Sequence, residues 1–195
     1  EMLRSLVGSE MCIRDRSNIV RAVDIPVMTD ADTGYGNAVN VWWTTKRLEE
    51  TGAAGMNLED QCFPKRCGHM AGKQLISLGE MVGKIRAAVD AKRDPDFVIN
   101  ARTDAAYVCG IEEAIRRGNA YLEAGADMVF VESPVSAEEV KRAIEQIKGP
   151  VSINMLEGGR TPMLTFEELR QLGAARVSCP MFTSLIAAYA LQKGL

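Results

Sequence analysis

The stretch LEAGADMVFVES, residues 122–133, changes character halfway: a helix-like end, a glycine, one small residue, then an apolar run closed by a carboxylate. Gly125 suits the left-handed turn that ends a helix, and residues 128–131 have the length and composition of a buried strand. The pattern returns as LEETGAAGMNLED at 48–60 and as LRQLGAARVSCP at 169–180. One helix–turn–strand unit is therefore used several times.

Outward from these repeats the chain keeps alternating. Short apolar runs at 27–29, 55–58, 97–100, 128–131, 151–154 and 176–179 read as six buried strands. Helical patterns lie between them. Ser77 and Glu80 make a capping-box signature ahead of Met81, Ile85, Ala88 and Val89; Ser136 and Glu139 do so ahead of Val140, Ala143, Ile144 and Ile147. Thr165 and Glu168 repeat the device, with Leu164 and Leu169 placed as a hydrophobic staple. Strands that alternate with helices predict a parallel sheet, either doubly wound or a (β/α)8 barrel. No G-x-G-x-x-G follows an early strand, which weakens the dinucleotide-binding version.

Composition narrows the class. With 195 residues, 47% of them hydrophobic and 25% charged, the chain can build one sizeable core. A formal charge of -3 and a pI near 5.4, with basic residues scattered, give no reason to expect a nucleic-acid partner. No run of about 18 apolar residues offers a membrane span, and no secretion signal opens the sequence, so a cytoplasmic protein is the default. Cys12, Cys62, Cys67, Cys109 and Cys179 have no disulfide-framework spacing and are expected to be reduced. Residues 1–16 stand apart. They lack a sustained apolar period, and RSLVGSEMCIRDR resembles translated sequencing-adapter read-through, so this segment is expected to be non-native; the competing reading is an N-terminal helix. Residues 17–195 then form one domain, with residues 18–23 ending a helix before Pro26.

Polar residues gather at the ends of the strands: Asp30 and Asp32, Glu59 and Asp60, Arg102 and Asp104, Glu132, then Asn154 and Glu157. In a parallel barrel those ends converge on one rim, where the chemistry sits. Asp30 and Asp32, joined by Glu59 from the next strand, could approach a hard cation such as Mg²⁺, which takes few carboxylates and keeps several waters. Asp32-Thr33-Gly34 also matches the aspartic-protease tripeptide, but that enzyme needs a carboxylate dyad on an all-β frame. From Gln61 to Ile76 no periodicity is visible, and so long a connection is more often a lid than a spacer. It contains Lys65-Arg66-Cys67-Gly68-His69, where nearby cations would favour the Cys67 thiolate and suit it to proton exchange with a carbon acid. Two other readings stand: an inert Cys67 beside a solvated Lys65–Arg66 pair, and a zinc site of Cys62, Cys67 and His69.

Several ordered motifs carry a family resemblance: DADTGYGN at Asp30, NLEDQ at Asn57, KRCGH at Lys65, INARTDA at Ile99, FVESP at Phe130 and NMLEGG at Asn154. From Pro26 to Leu191 the chain resembles the isocitrate lyase and phosphoenolpyruvate mutase superfamily, especially its methylisocitrate lyase-like branch. The resemblance implies a (β/α)8 barrel and a Mg²⁺-dependent carbon–carbon lyase acting on a 2-hydroxy di- or tricarboxylic acid, with a keto acid among the products. It implies Asp30, Asp32 and Glu59 as metal residues, and Cys67 as catalytic acid with Lys65, His69 and Arg102 in the catalytic group. Cys67, Gly68, Arg102, Glu132 and Asn154 would line the substrate pocket. The cysteine favours a lyase over phosphonate mutases, which commonly carry an Asn-containing loop there; oxaloacetate-hydrolysing relatives can share KRCGH. Tricarboxylate-cleaving relatives often place an arginine early in the helix after the last strand, whereas residues 181–188 have no basic residue, which weakens the case for 2-methylisocitrate and leaves room for a smaller diacid such as a 2,3-dimethylmalate-like substrate. Six strands are visible where the barrel has eight; the resemblance implies that the first two are missing and that the full-length parent is a homotetramer. An open sheet exposes edges and apolar faces, so the chain as it stands is expected to be poorly soluble or an inactive fragment.

Overall fold

The computed structural model describes residues 13–194. Helix α1 (13–22) leads into six strands: β1 (Met28–Asp30), β2 (Gly55–Glu59), β3 (Val98–Thr103), β4 (Met128–Val131), β5 (Val151–Asn154) and β6 (Arg176–Ser178). Between them run α2 (Ala38–Glu49), α3 (Leu78–Ala91), α4 (Ala105–Val108), α5 (Ile111–Glu123), α6 (Ala137–Gln146) and α7 (Phe166–Leu172); α8 (Phe182–Gly194) follows β6. Residues 1–12 of the expected non-native segment lie outside the described residues, and Ile13 to Arg16 belong to α1.

All pairings are parallel and the order is β1-β2-β3-β4-β5-β6, the order of the sequence. This decides between the two architectures. A doubly wound sheet reverses its order at a switch point, whereas right-handed crossovers between consecutive strands put every helix on one face. The fold is thus an incomplete (β/α)8 barrel, six strands with their helices outside.

The two faces of the sheet follow from alternation along each strand. Met56, Leu58, Ile99, Ala101, Val129, Val131, Val151 and Ile153 are buried against Val41, Leu48, Met81, Ile85, Ile115, Val140 and Leu169 from the helices. Each large aliphatic side chain in this layer contributes roughly 1.5–3 kcal/mol. On the opposite face the register lines up Glu59, Arg102, Phe130, Ser152 and Arg176. Glu132 and Asn154 stand two residues further along their strands, on the same side.

Local chemistry explains the turns. Gly125 and Gly173 adopt φ of 103° and 91°, and the next amide in each case reaches back to a helix carbonyl, Ala126 to Tyr121 and Ala174 to Leu169, both at 3.0 Å. Thr165 and Glu168 make the full reciprocal capping box, and buried Leu169 has Leu164 packed against its cluster. Ser77 and Ser136 each cap through the hydroxyl, but Glu139 instead accepts from the Val135 amide at 2.7 Å. Strand β3 runs to Thr103, three residues beyond the expected apolar stretch, because Asn100 and Arg102 point to the polar face. Helix α8 has no buried residue, and Phe182, Ile186, Tyr189 and Leu191 are exposed on it. Among the described residues no helix is long and apolar enough to cross a membrane.

Candidate active site

The strand ends carry three acids toward one point. After β1 the chain turns tightly: Asp30 Oδ1 accepts from the Asp32 amide at 2.8 Å, and Asp32, with φ of 54°, accepts from the Thr33 amide at 2.7 Å. Buried Lys84 of α3 supports this turn by donating to the Thr33 carbonyl at 2.9 Å, and burial pushes its ammonium pKa down. From β2 the Glu59 amide bonds the Asp32 carbonyl, which brings the Glu59 carboxylate beside the turn. Lys65 Nζ then lies 3.3 Å from Glu59 Oε2, 3.6 Å from Asp32 Oδ2 and 3.8 Å from Asp30 Oδ2. Burial would lower the Lys65 pKa, but Asp30, Glu59 and Asp32 together raise it. Burial pushes the Glu59 carboxyl up to about 7 against the opposing pull of Arg102 and Lys65, and its Oε1 is buried without a hydrogen-bond partner.

This donor set fits a hard divalent cation. Three carboxylates meet at a single positive group, one with an unsatisfied oxygen, and oxygen donors are what Mg²⁺ takes. Among the described residues no three His, Cys, Asp or Glu side chains are already drawn to ligand spacing. The same holds for the zinc reading of Cys62, Cys67 and His69, since His69 is turned to Glu132 instead. The protease reading fails on the frame: Asp32 sits in an α/β barrel and its charged partner is Lys65, at 3.6 Å.

Arg102 is the second centre. Its Nε and Nη2 form a fork on Asp104 at 3.0 and 3.2 Å, its Nη1 lies 3.2 Å from Glu132 Oε2, and its Nε lies 3.5 Å from Glu59 Oε2. Burial would disfavour the guanidinium charge, but Asp104 and Glu132 outweigh it. Glu132 is fully buried; burial alone would raise its carboxyl, yet His69, Arg102 and the Ser133 hydroxyl bring it down to about 2. His69 Nε2 stands 3.2 Å from Glu132 Oε1, off the line of a hydrogen bond, while its Nδ1 accepts from the Arg160 amide at 3.2 Å. Asn154 Oδ1 accepts from Ser178 at 2.9 Å at the far side of the mouth.

The 61–76 connection folds over these groups. Gln61 clamps its base through both amide atoms, Nε2 to the Arg66 carbonyl at 2.8 Å and Oε1 from the Arg66 amide at 3.0 Å. An isolated bridge pairs Gln61 with Leu75. Gly68 presses on the barrel: a Cβ there would come within 2.5 Å of Arg102 Nη2 and 2.6 Å of Glu132 Cγ. Only a residue without a side chain lets the segment approach that closely. Cys67 is exposed beside it. The cations expected to surround the thiol have other hydrogen-bond and charge partners: Lys65 the three acids, Arg66 the Ala71 carbonyl, His69 the Glu132 carboxylate. Cys62, Cys109 and Cys179 are free thiols, and Cys12 lies outside the described residues.

Some residues that shape the site escape a reading by motif. Asp60 points to the helix side of β2 and is fully buried, accepting from Thr103 Oγ1 and Tyr121 OH at 2.7 Å, the Asp104 amide at 3.0 Å and Arg117 Nη1 at 3.1 Å. Lys73 is buried against Asp104, and Ser133, with φ of 58°, places its hydroxyl 3.1 Å from the Gly68 carbonyl. These partners lie 31 to 65 positions apart, so short spacing gives no signal for them. The alternation of Glu59 and Asp60 across β2 was the one readable hint.

Comparison with known proteins agrees with this architecture. Residues 5–195 match the family model described as phosphoenolpyruvate phosphomutase. The chain is 55% identical over 168 residues to the 2,3-dimethylmalate lyase of Eubacterium barkeri, covering 86% of this chain and 58% of that protein. It is 44% identical over 179 residues to the 2-methylisocitrate lyase of Shewanella oneidensis, covering 92% and 61%. A solved structure of oxaloacetate acetylhydrolase with the inhibitor 3,3-difluorooxalacetate superposes with a TM-score of 0.89 at 35% identity, over 95% of this chain and 64% of that one. The chain thus spans about three fifths of the length of these curated relatives. A family match over nearly the whole sequence, the sequential parallel barrel and the acidic strand ends lead to one conclusion: the chain belongs to the phosphoenolpyruvate phosphomutase family, in the PEP mutase/isocitrate lyase superfamily.

Proposed function

We propose that this chain carries the active-site face of a Mg²⁺-dependent carbon–carbon lyase that cleaves a 2-hydroxy dicarboxylate of the 2,3-dimethylmalate type. The supporting observation is the convergence of Asp30, Asp32 and Glu59 beside the Arg102–Glu132 pair, with the Cys67 segment folded over both. In this reading Asp30, Asp32 and Glu59 hold the Mg²⁺, which when bound supplies Lewis-acid stabilisation of the substrate's hydroxyl and carboxylate oxygens. Arg102 gives its Nε–Nη2 edge to Asp104, which fixes its orientation, and its Nη1–Nη2 edge is the one suited to a substrate carboxylate. In retro-aldol cleavage the substrate hydroxyl becomes the keto oxygen as its proton passes to a carboxylate of the acidic group, the bond's electron pair stays on the other carbon, and the Cys67 thiol, free and exposed at the mouth, donates the proton that carbon needs. Gly68 and His69 hold the segment against Glu132, where it keeps water from the carbanion. Asn154 adds an amide on the opposite rim.

The diacid is preferred over methylisocitrate for two reasons. The relative at 55% identity is a dimethylmalate lyase, against 44% for the methylisocitrate lyase, and α8 carries no basic residue before Lys193. A second reading, hydrolysis of oxaloacetate, draws on the likeness to oxaloacetate acetylhydrolase. Both readings carry a cytoplasmic enzyme, a small carboxylic acid as partner and a homotetrameric parent. The test is incubation with Mg²⁺ and 2,3-dimethylmalate, 2-methylisocitrate or oxaloacetate, followed by product mass spectrometry. A keto acid from a 2-hydroxy acid, lost on Cys67→Ser, is the expected result; oxalate from oxaloacetate alone selects the second reading. No cleavage of any of the three, by the chain or any longer product containing it, would end both.

A further inference from the structure

One buried cation has no part in the chemistry above. Lys73 lies at the end of the 61–76 connection with a fully buried side chain, and so does its partner Asp104, whose Oδ1 is 2.7 Å from Lys73 Nζ. The same ammonium donates to the Gly68 carbonyl and stands 4.4 Å from the centre of the Tyr107 ring. Asp104 is also the carboxylate that holds Arg102 by its fork. The Gly68 carbonyl, one residue after Cys67, is thus joined to the Arg102 guanidinium through a single buried lysine and a single buried carboxylate. His69 lies 3.2 Å from Glu132 on the other side, and Glu132 faces Arg102, so two adjacent residues of the segment lie against one connected polar group.

We propose that Lys73 is a positioning residue that registers the Lys65–His69 segment on the barrel mouth and sets the place of Cys67 together with the aim of Arg102. Three features favour this over a purely structural salt bridge. A lysine with only a stabilising role gains nothing from full burial, since desolvation offsets most of the attraction of such a pair. Asp104 opens α4 yet makes no side-chain cap for it, because its oxygens are given to Lys73 and Arg102. The bond from Lys73 ends on the backbone of the segment rather than on a side chain, so it fixes the chain's position whatever the neighbouring rotamers do. The inference rests on reading the 61–76 connection as a lid.

The test needs no substrate. In Lys73→Met the stem is kept and the ammonium removed. Trypsin cleavage after Lys65 and Arg66, and amide exchange at Met70, which bonds the Cys67 carbonyl at 2.9 Å, should then rise about tenfold, the effect of one lost charge-assisted hydrogen bond on a local opening. Exchange at Val129 and Ile153 in the central strands should rise less than at Met70, because Asp104 keeps the Arg102 fork as its counter-charge. Should Lys73→Met fail to fold, Lys73→Gln keeps a neutral, shorter NH₂ in place of the ammonium and should raise the same local rates severalfold. Unchanged rates at Lys65, Arg66 and Met70, or an equal rise in the central strands, would overturn the assignment. Turnover does not enter either readout, so a failed latch and a failed lyase reading are told apart.

Discussion

Replacing Asp60 tests whether the network behind the site is organised by its charge. Four groups converge on this carboxylate, the Thr103 and Tyr121 hydroxyls, the Asp104 amide and the Arg117 guanidinium, and all four donate. In Asp60→Asn the amide oxygen can replace Oδ2 and keep three donors, but its NH₂ then faces the Asp104 amide, donor against donor. That mismatch costs about 1–3 kcal/mol, and Arg117, whose side chain is 8% exposed, keeps only Glu113 as a counter-charge. Burial raises the Asp60 pKa, so removing its charge also removes a desolvation cost, which holds the expected loss for Asn to about 2 kcal/mol. Asp60→Ala strands all four donors and should lose about 3–5 kcal/mol. Tyr121→Phe deletes one donor and should lose about 1.5 kcal/mol. The assay is urea unfolding at matched protein concentration, followed by the fluorescence of Trp42 and Trp43. A double-mutant cycle between Asp60→Asn and Tyr121→Phe should show about 1 kcal/mol of coupling. Strictly additive losses, or an Asp60→Ala protein within about 0.5 kcal/mol of the parent, would refute the reasoning.

Two further outcomes follow from the mouth. Because Glu132 is lowered to about 2 in the folded state from an ordinary 4.5, its contribution is fully present above pH 4.5 and is lost as pH falls toward 2; the shift corresponds to about 3 kcal/mol, and Glu132→Gln should flatten this acid limb in urea midpoints measured between pH 2 and 6. Gly68→Ala places a methyl where Arg102 and Glu132 stand, so stability should fall by about 1–3 kcal/mol and trypsin should cut sooner after Arg66, with the parental cleavage rate as the contrary result.

The scaffold was legible because its signals are local. Strand length, the glycine after each helix and the hydroxyl caps all act within a few residues, and the six strands fall within a residue or two of the expected ends apart from β3. That exception is informative: Asn100 and Arg102 break the apolar run because the polar face of the sheet begins there, so the strand continues where hydrophobicity stops. The acids of the mouth were visible as strand-end residues for the same local reason. The interior of the lid was not. Gln61 binds backbone rather than side chains, and Lys73 meets Asp104 just beyond the end of β3, contacts that only the closed fold brings into range. The cluster Lys65–His69 shows the limit from the other side: proximity in sequence suggested cations gathered around Cys67, whereas the fold also sets Lys65 3.3 Å from Glu59 and His69 3.2 Å from Glu132.

Glu59 and Asp60 are neighbours in sequence with opposite duties, and the strand's alternation separates them. Glu59 enters the mouth; Asp60 turns to the helix layer and takes the Asp104 amide as one of its four donors. Asp104 then sends its carboxylate back across to Arg102 and Lys73. The end of β3 is therefore gripped from both faces of the sheet, by its backbone on one and its side chain on the other. A perturbation at Asp60 should reach the site through this residue, although Asp60 touches none of Cys67, Arg102 or Glu132. The expected order is specific: Asp60→Asn should lower global stability and also quicken Met70 exchange, while Lys73→Met should quicken Met70 exchange more than exchange in the central strands. If Asp60→Asn costs stability with no change at Met70, the helix-side network and the mouth are independent, and Asp104 is not the joint between them.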